Sequence, residues 1–421
     1  MKTKMMILVA VLGTVISVFA VVSVENVTCR QRYPWNGLVD IDYEIVSDNP
    51  DATFFIYPKG EDRRTGTPIV MRTLSGDGAA SSSVGVGKHR MIWDAKADMP
   101  GFQTSDFVLT LQTVSSGAQY LVIDLSGGTN AVTYPIHYST TPPDTGAERC
   151  RTTELWLRLV MPCTFQMGSP SNEQFRQNSE SQHQVTLTRP FYIGIFELTQ
   201  HQWGLVSGNT NVVKFAGACR PVDFASYDEI RGADNGAQWP VTSEVDAESF
   251  MGIIRRKTGL NFDLPTEAQW ECACRAGTST TWNNGQTGKY RGEWDLGRLH
   301  YEYVFAANSE LDLLGRYACN RDDMHDSFTE HTSVGRYDAN AWGLYDMHGN
   351  VCEWVRDSYA VLLSETQIDP VGGSSSGRCA RGGYYLSWAR DCRAASRCGF
   401  EANTKSSDGG IGFRVACMPV E

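Results

Sequence analysis

The chain has no dense basic run. Its 421 residues carry 37 Lys and Arg against 48 Asp and Glu, a formal charge of −11. A nucleic-acid partner is therefore not expected, because binding a phosphate backbone needs clustered positive charge. Long apolar runs are also scarce, and only residues 5 to about 22 approach the length needed to cross a bilayer. Histidine is sparse: His89, His137, His183, His201, His300, His325, His331 and His348 are the full set, and none stands four residues before another. Periodicity itself is missing beyond Gly277, where Gly, Asn, Asp and Trp crowd the chain, so loops there must be held by something other than helix or strand ladders.

What is present begins at the N-terminus. Lys2 and Lys4 precede the apolar run, and Val18-Phe19-Ala20 reads as a cleavage site, so residues 1–22 have the layout of a secretory signal. The alternative is an uncleaved anchor, which would be the chain's one route to a membrane. Without Lys2 and Lys4 the formal charge goes from −11 to −13. The sequence thus predicts an exported protein, periplasmic, cell-surface or secreted. Twelve cysteines, an even number, suit an exported chain as a mixture of disulfides and buried thiols, although spacing alone fixes no pairing.

Residues 24–141 read as a first domain. Segments 38–46, 52–57, 89–95, 107–114 and 119–125 have strand length and are rich in Val, Ile, Phe and Tyr. Asp48-Asn49-Pro50-Asp51, Ser75-Gly76-Asp77-Gly78 and Ser115-Ser116-Gly117 between them are turn chemistry. The pattern predicts a small β-sandwich of immunoglobulin or fibronectin type, serving as spacer or docking module. A Pro-stiffened linker ends at about 149, and residues 150–421 form a second domain, making the chain α+β overall. Thr199 with Gln202 and Thr266 with Gln269 have capping-box spacing and mark helix starts. Ala247, Phe250, Met251 and Ile254 fall on one helical face ahead of Gly259, a natural stop.

The most informative stretch is Asn340-Ala341-Trp342-Gly343-Leu344-Tyr345-Asp346-Met347-His348-Gly349-Asn350-Val351-Cys352-Glu353-Trp354-Val355, which fits neither a helix stripe nor a strand. It stands in order with Phe165-Gln166-Met167-Gly168-Ser169, Leu264-Pro265-Thr266-Glu267-Ala268-Gln269-Trp270-Glu271-Cys272-Ala273-Cys274-Arg275, Arg381-Gly382-Gly383, Cys392-Arg393-Ala394-Ala395 and Gly412-Phe413-Arg414-Val415. Together these motifs, spanning about 150–417, resemble the formylglycine-generating enzyme family, also called the sulfatase-modifying factor domain. The resemblance implies a C-type-lectin-like fold with little regular structure.

It also implies candidate sites. Calcium is the expected cofactor. The carbonyls of His348, Gly349 and Val351 and the Glu353 carboxylate match one family site, and Asn320, Arg321, Asp326 and Phe328 match a second with a shortened loop. The alternative for Glu353 and Asn350 is capping of buried loop amides. Active members of the family hold Cu(I) on two cysteines five residues apart just after the Arg-Gly-Gly turn and oxidise a substrate cysteine. Here Ser387 stands at the first position and Cys392 near the second. A hydroxyl neither ionises near neutral pH nor ligates Cu(I) well, so copper is not expected.

Ser387, Cys392, Trp354 and Tyr384 are the candidate catalytic positions carried over from the family, and Tyr384 stands where the family has Ser. Cys392 has a further reading implied by non-oxidase relatives, a disulfide with Cys274, while Cys398 lies one residue too far to replace the missing partner. Some relatives carry an iron-binding His-x3-His-x-Glu run, which the histidine spacing rules out here. The last candidate is a binding surface of Tyr384, Tyr385, Trp388 and Arg390, implied by the ligand-facing end of lectin-like relatives and suited to a protein or peptide ligand. The sequence therefore predicts a calcium-stabilised binding or scaffold module, with formylglycine-generating oxidation as the enzyme alternative.

Overall fold

The computed structural model of the protein describes residues 22–418 except 35, 66, 70, 72, 80–81, 102–103, 105, 211–212, 234–243, 287–309, 319, 321–329 and 374. The expected signal segment lies outside the described residues apart from its last position, Val22. The chain divides into two units: Met1–Gln119 with Tyr138–Thr140 and Pro419–Glu421, and Tyr120–His137 with Thr141–Met418. Most regular structure is strand, and the helices are few and short.

The first unit contains β1 (Val22–Gln31), β2 (Leu38–Ser47), β3 (Phe54–Asp62), β4 (Thr67–Ile69), β5 (Leu74–Gly76), β6 (Gly87–Asp94), a four-residue helix α1 (Ala95–Asp98) and β7 (Phe107–Ser115). One antiparallel sheet has the order β1-β2-β6-β5 and a second has β4-β3-β7. Alternation does the sorting. Val39, Ile41, Tyr43 and Ile45 of β2 are buried, as are Phe107, Leu109 and Leu111 of β7, the period of two that puts every other side chain on one face. Residues from both sheets, including Ile41, Met91, Trp93, Ile56 and Leu109, belong to one hydrophobic cluster.

The second unit begins with β8 (Tyr120–Asp124), the first two residues of β9 (Ile136–Ser139), β10 (Glu154–Val160), β11 (Cys163–Met167), β12 (His183–Leu187) and β13 (Phe191–Gly194). Then come α2 (Gln200–Ser207), α3 (Tyr227–Arg231), α4 (Phe250–Thr258), β14 (Asn261–Asp263) and α5 (Glu267–Arg275). After a long irregular stretch follow β15 (Cys352–Ser358), β16 (Gln367–Ile368), β17 (Arg378–Arg381), β18 (Arg397–Phe400), β19 (Ile411–Gly412) and β20 (Ala416–Met418). The sheets run β14-β20-β13-β10-β8-β9, β11-β12-β16 and β18-β17-β15-β19.

Segment 119–125, read from the sequence as the last strand of the first domain, pairs instead with β10, Leu121 lying opposite Leu157. Tyr120, Leu121, Val122 and Ile123 are all buried. A strand covered on both faces is a near-continuous apolar run, which sequence pattern cannot assign to one sheet over another.

The helix starts follow their caps. Thr199 Oγ1 accepts from the Gln202 N–H at 3.2 Å while the Thr199 N–H donates to Gln202 Oε1 at 3.1 Å. Thr266 and Gln269 repeat the arrangement at 3.1 and 2.8 Å. Along α4, Phe250, Met251 and Ile254 are buried and Gly259 ends the helix in the left-handed region. Ala247 precedes the Ser249 cap and is exposed.

Candidate functional site

Beyond Gly277 the loops are held by buried charge. Arg393 donates to Glu173 at 2.8 Å and to both oxygens of Glu180 at 2.8 and 2.7 Å, tying in the loop that precedes β12. Arg397 forks onto Glu267 at 2.5 and 2.7 Å and reaches the Ser179 and Ala360 carbonyls. Arg381, fully buried, bonds Glu271 and the Ser396 carbonyl and lies 3.2 Å from Glu267. Burial by itself would raise the Glu267 carboxyl, and the Arg397 and Arg381 guanidinium groups outweigh it and hold it below the usual carboxylate range. Amide side chains add to the frame: Asn340 donates to the Ala273 and Cys274 carbonyls at the end of α5, and Asn350 bonds Thr332 N–H and Glu197.

Within this frame lies a cavity of about 330 Å³. Gly382 and Gly383 follow β17 with φ of +94° and +72°, a turn that favours glycine. A Cβ on Gly382 would come within 3.2 Å of Trp270, and one on Gly383 within 2.7 Å of Cys392 Sγ. Neither position has room for a side chain, so the turn packs directly on Trp270 and Cys392. Tyr384, Ser387, Arg397 and Asp408 line the cavity, and so do Cys352 and Cys398. Tyr384 donates to Asp408 at 3.1 Å, and burial, then the Asp408 carboxylate, pushes its phenol up to about 12. The Tyr384 N–H donates to Ser387 Oγ at 3.0 Å. Cys352 Sγ and Cys398 Sγ stand 2.9 Å apart.

Of the positions carried over as catalytic, Ser387 and Tyr384 therefore meet at the cavity. Cys392 is fully buried behind Gly383 and does not line it. Trp354 is a core residue, its Nε1–H donating to the Ala225 carbonyl at 3.2 Å. The residues at the two family positions do not fit a cuprous ion, since one offers a hydroxyl and the other is walled off by the glycine turn.

Glu353 gives both oxygens away: Arg414 donates to Oε1 and Oε2 at 2.6 Å each, and Trp270 donates to Oε2 at 2.8 Å. A carboxylate gripped by a guanidinium fork is not free for a dication, so as placed it does not fit calcium. His348, Gly349 and Val351 adjoin it in a fully buried turn, in which the Gly349 N–H donates to the Gly382 carbonyl and the Val351 N–H to Glu197. At the second expected site, the Asn320 carbonyl accepts from Arg316 at 2.7 Å. Arg321, Asp326 and Phe328 lie outside the described residues. Among the described residues no three His, Cys, Asp or Glu side chains group to hold a metal.

Cys274 carries a free thiol, so the expected Cys274–Cys392 disulfide is not formed, and His348 stands by both residues. Its Nδ1–H donates to the Cys392 carbonyl at 2.8 Å, its Nε2 accepts from the Asn283 N–H at 3.2 Å, and Cys274 Sγ lies 3.9 Å from Nε2. Burial pushes the imidazole down to about 4, so the ring is neutral at physiological pH. In the expected binding surface, Trp388 is exposed and Arg390 and Tyr384 are half-buried, while Tyr385 is turned inward, its hydroxyl 2.5 Å from the Asp408 carbonyl.

Sequence reasoning missed Cys352, Arg397 and Asp408 as cavity residues. Cys352 sits in the stretch singled out above, yet its partner comes from a strand 46 residues on, a long-range pairing that spacing does not reveal.

Comparison with known proteins adds a family. Residues 145–418 match the model of the sulfatase-modifying factor enzyme 1-like domain. A formylglycine-generating enzyme of Thermomonospora curvata is 26% identical over 302 residues, covering 61% of this chain and 91% of that protein. The chaperone protein LppX of Paenibacillus barcinonensis is 27% identical over 251 residues, covering 56% and 83%. Among solved structures, Treponema denticola variable protein 1 aligns over 63% of this chain and 96% of its own, with 25% identity and a TM-score of 0.47.

Proposed function

The chain belongs to the sulfatase-modifying factor enzyme 1-like domain family, and on that premise we propose that its second unit is a ligand-binding module built on the family's pocket rather than a copper oxidase. The observation that carries this reading is Ser387, whose hydroxyl stands on the cavity wall, accepting from the Tyr384 N–H, where the family's oxidation needs a thiolate. A protein or peptide segment is the ligand the walls suit. Asp408 offers a carboxylate, Tyr384 an aromatic edge, and exposed Trp388 a neighbouring anchor.

The first unit, two antiparallel sheets around one core, is read as an immunoglobulin- or fibronectin-like sandwich that carries or docks this module. The basic, then apolar, N-terminus supports export. Neither calcium nor copper is required for this reading.

A second reading has one observation in its favour. Cys352 and Cys398 bring two sulfurs to the same cavity from other positions, so oxidation of a substrate cysteine is the enzyme alternative. One experiment separates the two: the full chain is incubated with a Cys-x-Pro-x-Arg peptide, Cu(I) and O₂, and the peptide is weighed. Unchanged peptide mass is expected. Aldehyde formed over many turnovers overturns the binding-module reading.

A further inference from the structure

We propose that Cys352 and Cys398 are a thiol modification site, closing to a reversible disulfide in the wall of the Ser387 cavity. Their sulfurs stand 2.9 Å apart, about 0.9 Å beyond the bonded distance of roughly 2.05 Å. Cys352 opens β15 and Cys398 lies in β18, on either side of β17. Cys398 Sγ also lies 3.2 Å from the Ala380 carbonyl of that middle strand. Beyond Ala380 and Arg381 the chain turns off at two glycines, and both cysteines line the cavity beside that turn.

The two thiols differ in access. Cys352 is buried and Cys398 half-buried, so an incoming reagent meets Cys398 first. The contact with the Cys352 thiol, and then burial, raise the Cys398 thiol well above its ordinary value, which keeps the reduced pair slow to react with alkylating agents.

The oxidant is a small-molecule disulfide. The Cys398 thiolate attacks one of its sulfurs, a mixed disulfide forms and one small thiol leaves. The Cys352 thiolate then attacks Cys398 Sγ, the protein disulfide forms and the second small thiol leaves. Two protons and two electrons pass from the cysteines to the two departing thiols, and an added thiol runs the sequence backwards. The site is independent of which ligand the cavity takes.

The sequence makes the test clean. Trypsin cuts after Arg336, Arg356, Arg397 and Lys405, so Cys352 is the only cysteine of peptide 337–356 and Cys398 the only one of peptide 398–405. The full chain is treated with oxidised glutathione, alkylated under denaturing conditions and digested without reduction. A linked 337–356/398–405 peptide is expected, disappearing after dithiothreitol. Separate, alkylated peptides after oxidation overturn the proposal, as does Cys398 linked to any other cysteine.

Melting supplies an independent readout. Closing a loop of this length is expected to raise the transition of the second unit by roughly 5–10 °C in the oxidised chain, with no oxidation-dependent shift in Cys398→Ser. An equal shift in that variant also overturns the assignment.

Discussion

The two units reach order by different means. In the first, strands of eight to ten residues pair along their length, as in β1 (10), β2 (10), β3 (9), β6 (8) and β7 (9), and the interior is apolar. Its Arg90–Asp42 ion pair lies at the surface, both side chains a third or more exposed. In the second, strands of two to seven residues alternate with long irregular segments, and Arg381, Arg393, Arg397 and Arg414 are buried against carboxylates. Short ladders leave loop carbonyls unpaired, and a guanidinium with five donors satisfies several of them while neutralising an acid. What a strand ladder does in one unit, a buried arginine does in the other.

The sharpest way to break that contrast is to remove one arginine. Arg414→Met leaves Glu353 buried without a counter-charge, close to Glu197 and Asp346, and is expected to cost the second unit about 3–5 kcal/mol. The double variant with Glu353→Met should recover more than half of that, because no bare charge remains. Chemical denaturation followed by tryptophan fluorescence measures both. If the single change costs less than about 1 kcal/mol, buried charge is not what orders these loops.

Next in size is a pH effect carried by Asp346. Burial raises its carboxyl to about 6, against the Gly335 N–H and Arg414, which pull it down. A folded value above the unfolded 3.8 means that the native state takes the proton more readily. The stabilisation from protonation is complete below about pH 4 and is lost as pH rises through 6, an order of about 3 kcal/mol at 1.36 kcal/mol per unit. Asp346→Asn imitates the protonated acid, so its melting temperature should stay flatter from pH 4.5 to 7.5 and exceed that of the parent at the upper end. Parallel curves for the two proteins would assign the pH dependence elsewhere, Glu197 being the next group whose burial raises it.

These effects mark the limit of what the sequence could say. Thr199 with Gln202, Thr266 with Gln269 and the Phe250–Ile254 face are legible because caps and periodicity are local. Segments 38–46 and 107–114 are legible because they alternate. Segment 120–124 pairs with β10, and a strand buried on both faces has no alternation from which the sequence could read its sheet. Ser387 could be placed beside the Gly382-Gly383 turn from the motif alone, whereas Cys352 with Cys398, or Arg397 with Glu267, are meetings across 46 and 130 residues that no spacing rule encodes. The family resemblance points to Glu353 as a cation ligand, whereas its arginine partner lies 61 residues away, outside the stretch that contains Glu353.

The first unit supplies the counterpart measurement. Arg90 is about half exposed and 2.5 Å from Asp42, itself about a third exposed, so Arg90→Ala should cost several-fold less than losing Arg414, because solvent screens the pair and the freed carboxylate reaches water. A cost equal to that of Arg414→Met would erase the distinction between the units.

The smallest expected effect is that of chelation. A cation bound only to the folded state would add stability by mass action, and its removal would lower the melting temperature. With Arg414 on both oxygens of Glu353, the cationic role in that turn is already filled by a guanidinium. EDTA should therefore leave the second unit's transition within about 1 °C at millimolar calcium. The informative control is Arg414→Met, in which Glu353 loses its partner. If calcium stabilises that variant and not the parent, arginine and dication compete for one carboxylate, and the sequence pattern that suggested calcium marked the right residue for the wrong positive charge.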